Sequence, residues 1–374
     1  HKIDNERDDR IRRRFGEALK KISLAQGASK AAREVNLVFD SVLSAEDSKK
    51  ITVWIRDGWN IDENSVRADA QQAGSQSPVV FVFLPKRSAD ELRHHIINFK
   101  AVKATLEMRG APNSREGDEA RSAMETTLKT EEARINELFD DIFSGARVFQ
   151  GGGSEVVGNG LHEIMLSAAN NSMLRLYPHF NTADHPGWEK VYDKAQKGAP
   201  DALKAVGYDG EPAQNQVCKE LTKVIAAGKK GSDIRSHFEA PPFGWPRDAV
   251  DGALQVLLVS GLIRAQDERG RPFPPNDLDR KGIGKALFKV EATIISAKQH
   301  IEIRKLLQQL EIKANSPEEE IAKAPEFLAM LKNLAERAGG APPRPAMPDT
   351  KLIDEIRLMS GNEQLLALFN SAKG

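Results

Sequence analysis

Apolar residues recur along this chain with two different periods. Across residues 8–26, Ile11, Phe15, Ala18, Leu19 and Ile22 fall three or four apart with Arg12, Arg13 and Arg14 among them, which predicts an amphipathic helix with a solvated face. Ile51-Thr-Val-Trp-Ile55 and Val79-Val-Phe-Val-Phe-Leu84 are short unbroken runs rich in β-branched and aromatic residues, closed by Asp57-Gly58 and by Pro85. Both predict buried strands. With the helical stretch 65–74 between them they form a βαβ-like unit, so residues 1–87 are expected to be a small α/β element that continues an upstream domain.

Helical spacing then returns. Leu92, Ile96, Phe99, Val102 and Leu106 mark one helix, Gly110-Ala-Pro-Asn-Ser114 breaks it, and residues 115–148 resume with Met124, Leu128, Ile135, Leu138, Phe139 and Ile142 on one stripe. Residues 88–150 are therefore expected to form a long helical hairpin, charged outside its stripe. Gly151-Gly-Gly153 and Gly158-Asn-Gly160 read as a linker or tight turn at a domain boundary, with a helix at 161–176, so 151–212 is assigned as a Gly-rich linker and helical segment. At the far end Ser316-Pro317-Glu-Glu319 sets a cap, a first-turn Pro and a capping-box Glu. The helix it opens is expected to be interrupted before Pro325 and to stop at Gly339-Gly340. A Pro-rich linker, 341–348, precedes two short helices, which makes 276–374 a helical C-terminal region.

Residues 213–275 carry the most specific pattern. Helices are predicted at 216–227, at 232–238 with Ser232 as cap, and at 247–260 after Pro246; Gly228-Lys-Lys-Gly231 and Pro241-Pro-Phe-Gly-Trp245 are the turns between them. Leu262-Ile-Arg-Ala265 then reads as a strand, and Asp267-Glu-Arg-Gly270 as a hairpin turn into Arg271-Pro-Phe273. Three helices followed by a β-hairpin predict a winged helix-turn-helix. At about 100° per residue, the side of the third helix opposite its apolar stripe gathers Asp248, Asp251, Gly252, Gln255 and Val259. Two carboxylates and no Lys or Arg there repel a phosphate backbone, so Asp248, Asp251 and Gln255 are assigned to a partner-docking face. The cations around it, Lys229, Lys230, Arg235, Arg247, Arg269 and Arg271, are candidate contacts to a DNA backbone.

Composition narrows the classes. The 374 residues hold 54 Lys plus Arg against 54 Asp plus Glu, a formal charge of zero that excludes a globally basic nucleic-acid coat. Even residues 213–275 carry nine cations against seven carboxylates, a weak footprint for nucleic acid. Aromatics are only 6% of the chain, which favours helices over a β-sandwich. One cysteine, Cys218, rules out a disulfide framework within the chain and agrees with a reducing cytoplasmic location. No run approaches a membrane span, and the start His1-Lys2-Ile3-Asp4 is unlike a signal peptide. With no initiating Met and a charged, helix-like opening, the chain is expected to be a piece of a longer protein.

Catalytic patterns are sparse. A P-loop needs a glycine upstream of Gly-Lys-[Ser/Thr]; Gly228-Lys229 is followed by Lys230 and Gly284-Lys285 by Ala286. His179, Asp184 and His185 lack a fourth ligand, His162-Glu163 lacks the second His of a zincin, and Cys218 sits on an apolar face as a packed thiol. No catalytic, cofactor-binding or metal residue is assigned. A hydrolase whose site forms from distant residues is the weakest of three readings.

Four phrases carry a resemblance. Val53-Trp-Ile-Arg-Asp-Gly-Trp59, Ala146-Arg-Val-Phe-Gln-Gly-Gly-Gly153, Arg175-Leu-Tyr-Pro178 and, most distinctively, Pro242-Phe-Gly-Trp-Pro-Arg-Asp-Ala-Val-Asp251 resemble the C-terminal part of the large P-loop ATPase of BREX phage-exclusion systems, the BrxC/PglY type. The resemblance spans most of the chain and includes Gly361-Asn-Glu-Gln-Leu365. It implies antiviral defence in the bacterial cytoplasm alongside a DNA methyltransferase and a phosphatase-like protein. ATP and Mg belong to the upstream region of that family. The expectation is a mainly α chain with a small α/β element, non-catalytic, assembling with BREX partners or with itself; the alternative is a module contacting the backbone of double-stranded DNA non-specifically.

Overall fold

The computed structural model describes residues 2–199, 201–226, 228–273, 275–359 and 361–372, and the chain divides into two compact units, one ending at Pro178 and the other beginning at His179. Helices dominate, with three small sheets among them. No helix among the described residues is long and apolar enough to cross a membrane.

The first unit contains α1 (Lys2–Lys20), β1 (Leu24–Gln26), β2 (Ala31–Arg33), β3 (Asn36–Phe39), β4 (Thr52–Asp57), α2 (Glu63–Ala73) and β5 (Val80–Leu84). It continues with α3 (Ala89–Met108), α4 (Arg115–Ser144), β6 (Arg147–Gln150), β7 (Glu155–Val156) and α5 (Leu161–Leu176). A five-stranded sheet runs β3-β4-β5-β6-β7, parallel through β5 and antiparallel after it. Both faces are covered, which is why β5 reads as an unbroken apolar run. Val80, Val82 and Leu84 join the core with α1, α3 and α4, while Val79, Phe81 and Phe83 pack with Val66 and Ala70 of α2.

Three expectations change here. The N-terminal helix ends at Lys20, because residues 24–26 pair with β2. The second helix of the hairpin ends at Ser144, since Arg147–Gln150 is recruited as a strand beside β5. Gly151–Gly153 is then a turn between β6 and β7, with Gly152 and Gly153 at φ +92° and +83°, a conformation that glycine adopts without strain. No linker separates this region from the first 87 residues: the sheet crosses it.

The α3–α4 hairpin forms as expected, but only its root is buried. Leu92, Ile96 and Phe99 meet Ile135, Leu138, Phe139 and Ile142, whereas Met124 and Leu128 are half-buried and Met108 is 84% exposed. Arg10 of α1, itself buried, donates to Glu6 and Glu132 at 2.9 Å and ties α1 to α4.

The second unit contains α6 (Trp188–Gln196), α7 (Gln216–Ile225), β8 (Lys229–Lys230), α8 (Gly231–Glu239), α9 (Arg247–Val259), β9 (Ile263–Gln266), α10 (Arg280–Lys285) and β10 (Leu287–Val290). After these come α11 (Ala297–Gln308), α12 (Pro317–Ala338), α13 (Lys351–Arg357) and α14 (Gly361–Ser371). Asn215 caps α7 through its side chain. Ala227, expected to close that helix, lies outside the described residues. The segment read as a turn at 228–231 holds a strand, and α8 begins at Gly231.

Strand β9 also gains a partner that was not expected. The expected turn closes locally through a bridge from Gln266 to Pro272, with the Asp267 amide donating to the Arg271 carbonyl and the Phe273 amide to the Ala265 carbonyl, both at 2.8 Å, but the longer ladder is with β10, beyond the boundary drawn at 275. The three strands lie in the order β8-β10-β9, all antiparallel. Helices α11 to α14 enclose a further core of Ile303, Leu307, Phe327, Leu328, Leu365 and Leu368. Ser316 caps α12, and Pro325 sits inside it without ending it. A proline removes one backbone donor from a helix, and here buried Ala324, Phe327 and Leu328 hold the helix through that gap.

Burial along the hairpin predicts its energetics. Phe139→Ala, at a fully buried site, is expected to destabilise the first unit by about 3–5 kcal/mol. Met108→Ala should stay within about 0.5 kcal/mol of the parent. Hydrogen exchange of the Arg147–Gln150 amides in denaturant checks both.

Candidate functional site

Helix α9 holds the three residues that the sequence assigns to a partner-docking face, and it is enclosed on nearly all sides. Every residue from Ala249 to Leu258 is buried. The apolar stripe of Val250, Ala253, Leu254 and Leu257 joins the core with Val217, Leu221, Phe238 and Phe288. The opposite side is covered by α6. A Cβ at Gly252 would stand 3.1 Å from the Trp188 carbonyl oxygen and 3.2 Å from its ring, so glycine is what lets the two helices approach this closely.

The assigned docking face is thus interior. Asp251 and Gln255 are both 0% exposed, and only Asp248 reaches solvent. The physical reason is pairing across sequence. Arg235 of α8 donates to Asp251 twice, Nε to Oδ1 at 2.7 Å and Nη2 to Oδ2 at 2.9 Å. Arg280 of α10 donates to Asp248 at 2.5 Å, lies 3.4 Å from Asp251 Oδ2, and stacks over the Tyr192 ring at 4.3 Å. Gln255 donates to the Leu278 carbonyl at 2.7 Å. Burial pushes the Asp251 carboxyl above the ordinary carboxylate range, and the two guanidinium groups pull it back.

The same network removes one assigned DNA contact. Arg235, with its side chain only 13% exposed, is spent on Asp251 and on the Arg280 carbonyl. Arg247 is largely exposed but engaged by Glu239 through two bonds of 2.6 and 3.1 Å, and Arg271 is paired with Asp267 at 2.9 Å. Lys230 and Arg269 stand exposed on the surface and Lys229 is half-buried. The structure does not bring the six cations to one surface.

Chemistry-bearing groups elsewhere are mostly structural. Cys218 is buried and its thiol is pushed up to about 12, which removes it as a nucleophile. His185 accepts the Gly187 amide at 2.9 Å, and the His179 carbonyl accepts from Trp245 Nε1. Among the described residues no group of three or more His, Cys, Asp or Glu side chains could hold a metal ion. In the C-terminal helices Glu320 is fully buried between Arg304, at 2.6 Å, and His300.

One cluster escapes sequence reading. At the C-terminal ends of the parallel strands, where open α/β sheets place ligand crevices, Asp40 follows β3 and Asp57 ends β4. Asn60 Nδ2 donates to Asp40 and, at 3.3 Å, to Asp57 Oδ1, which also accepts the Trp59 amide at 3.0 Å. Asp57 is 0% exposed and its Oδ2 has no partner. Burial raises both carboxyls, with the Asp40 charge adding to the effect at Asp57. The only sequence signal was Asp57-Gly58, read as a turn.

No family model, no curated protein and no solved structure matches this chain.

Two outcomes follow from these carboxyls. Asp251→Ala leaves two guanidinium groups facing an emptied site and is expected to cost the second unit about 3–5 kcal/mol, read by urea unfolding. Asp57 has the opposite sign. A carboxyl raised on folding stabilises fully below its unfolded value of 3.8, and that contribution is lost as pH rises through the folded value. Asp57→Asn should therefore raise the Tm of the first unit at about pH 7, with the gain shrinking below about pH 4. An equal gain at both pH values would refute the assignment.

Proposed function

We propose that this chain is a non-catalytic C-terminal portion of a BREX-type phage-exclusion ATPase, acting in the bacterial cytoplasm to assemble partner proteins or copies of itself. The reading rests on the four sequence phrases, three of which supply elements of the fold. Val53–Trp59 spans β4 and the strand-end crevice, and 146–153 supplies β6 and the glycine turn. Pro242–Asp251 carries Trp245, stacked on Phe238 at 4.6 Å, and the buried Asp251.

The order helix, strand, two helices, strand, short helix, strand over residues 216–290, with the middle position of the sheet taken by the last strand, supports a winged helix-turn-helix reading of this region. The observation that carries the functional conclusion is the enclosure of α9. A third helix covered by α6, with its polar face turned inward onto Arg235 and Arg280, leaves only Arg247 and Asp248 of its first turn toward a major groove, and Glu239 and Arg280 already hold both. Such a module is a packing unit, which favours protein partners over base reading.

The second reading, contact with the phosphate backbone of double-stranded DNA, keeps support from exposed Lys230 and Arg269. The two are separated by mixing the full chain with purified BREX methyltransferase and phosphatase-like protein and measuring mass by light scattering. A complex, or a self-oligomer, at micromolar concentration is the expected result. A monomer that binds neither protein, yet shifts duplex DNA at low salt, would overturn the assembly reading in favour of the second.

A further inference from the structure

The three-stranded sheet of the second unit has one buried and one open face, and their chemistry differs sharply. Side chains alternate along each strand. Ile263, Ala265 and Phe288 point into the core and are at most 2% exposed. The other face is built from Lys230, Leu287, Lys289, Arg264 and Gln266, with Leu287 opposite Lys230 on one side and Gln266 on the other, and Lys289 opposite Arg264.

Apart from Glu291 at its end, this face carries no acid among the described residues. Residues 280–290, Arg-Lys-Gly-Ile-Gly-Lys-Ala-Leu-Phe-Lys-Val, hold four Lys or Arg, of which Lys281 and Lys285 are exposed and Lys289 lies on the sheet.

 Arg280 is spent on Asp248 and Asp251, which leaves Lys281, Lys285 and Lys289 to the surface, and the stretch holds no carboxylate. Like charges directly opposite each other across strands destabilise a sheet, and the Lys289–Arg264 pair keeps that cost. The carboxylates nearest in the chain are Asp267 and Glu268 after Gln266, Asp279 before α10, exposed Asp233 at the start of α8, and Glu291, 3.8 Å from Arg264 Nε with its side chain only 10% exposed. Arg264 Nε is buried without a hydrogen-bond partner, and among the described residues Lys230 and Lys289 have no ion pair.

We propose that this open face, with Lys230, Lys289 and Arg264 at its centre, docks the phosphate backbone of double-stranded DNA without reading its sequence. The proposal deepens the second reading above and rests on it: it moves the contact from the turns and the wing to the sheet. Charge complementarity favours a polyanion. Leu287, half-buried, is the only apolar side chain on the face, so nothing there inserts into a lipid surface. Helix α9 takes no part.

The test is a gel-shift salt series on the full chain with two unrelated duplexes of about 25 base pairs, from about 50 to 200 mM salt. Both duplexes should bind equally. Lys230→Ala with Lys289→Ala should weaken binding and lower the salt slope by roughly 2. Arg269→Ala with Arg271→Ala should leave the slope unchanged, and circular dichroism melts verify that both double variants fold. If the Arg269 and Arg271 pair carries the slope instead, the sheet assignment falls while the backbone reading stands. If the parent shifts neither duplex at low salt, both fall. Binding to polyglutamate or to anionic vesicles, but not to duplex DNA, would assign the face to an acidic protein or a membrane and overturn the proposal.

Discussion

A single carboxylate organises the second unit. Asp251 has no contact with water, and an ionised group in that position is tolerable only when paired. Arg235 and Arg280 supply the pairing from two different helices, so α8, α9 and α10 are fixed to one another by one charge. Its neighbours on the same side of α9 depend on it. Gly252 admits α6, and Gln255 holds the Leu278 carbonyl, which places the segment leading into α10. A buried ion pair contributes little net stability over a well-packed apolar group of the same volume. Its contribution here is to specify: only one alignment of the three helices leaves no charge unpaired.

That constraint explains where reading the sequence succeeded and where it failed. The apolar runs at 51–55 and 79–84, the hairpin spacing from Leu92 to Ile142, and the Ser316 cap are local signals, and each produced its element. The polar side of α9 misled because amphipathicity assumes that polar residues face solvent. Here the partners of Asp251 lie 16 and 29 residues away, and nothing in the helix announces them. Strand β6 was lost for a similar reason. Four residues at the end of a helical pattern become a strand only because β5, more than sixty residues earlier, presents an open edge.

The candidate surfaces divide in the same way. The cations chosen from the sequence were those in turns and at the wing, and pairing with Asp251, Glu239 and Asp267 takes up Arg235, Arg247 and Arg271. Lys289 and the acid-free stretch 280–290 were visible in the sequence but lay past the boundary placed at 275, and that boundary followed from expecting a local hairpin partner for β9. Asp57 was hidden differently. Its burial depends on α1 and on the β3–β4 register, neither of which an Asp-Gly dipeptide reveals.

The α3–α4 hairpin leaves the sheet after β5 and returns to it as β6, and those two strands are antiparallel neighbours, with Phe83 facing Arg147. The points of departure and return are therefore side by side, at the spacing that a tight turn would close. In topological terms the arm is a side branch spliced into an ordinary β-hairpin. Its length is decoupled from the sheet: turns of helix can be added to or removed from the distal end in pairs, altering the reach of the arm while the strand register and the buried root stay as they are.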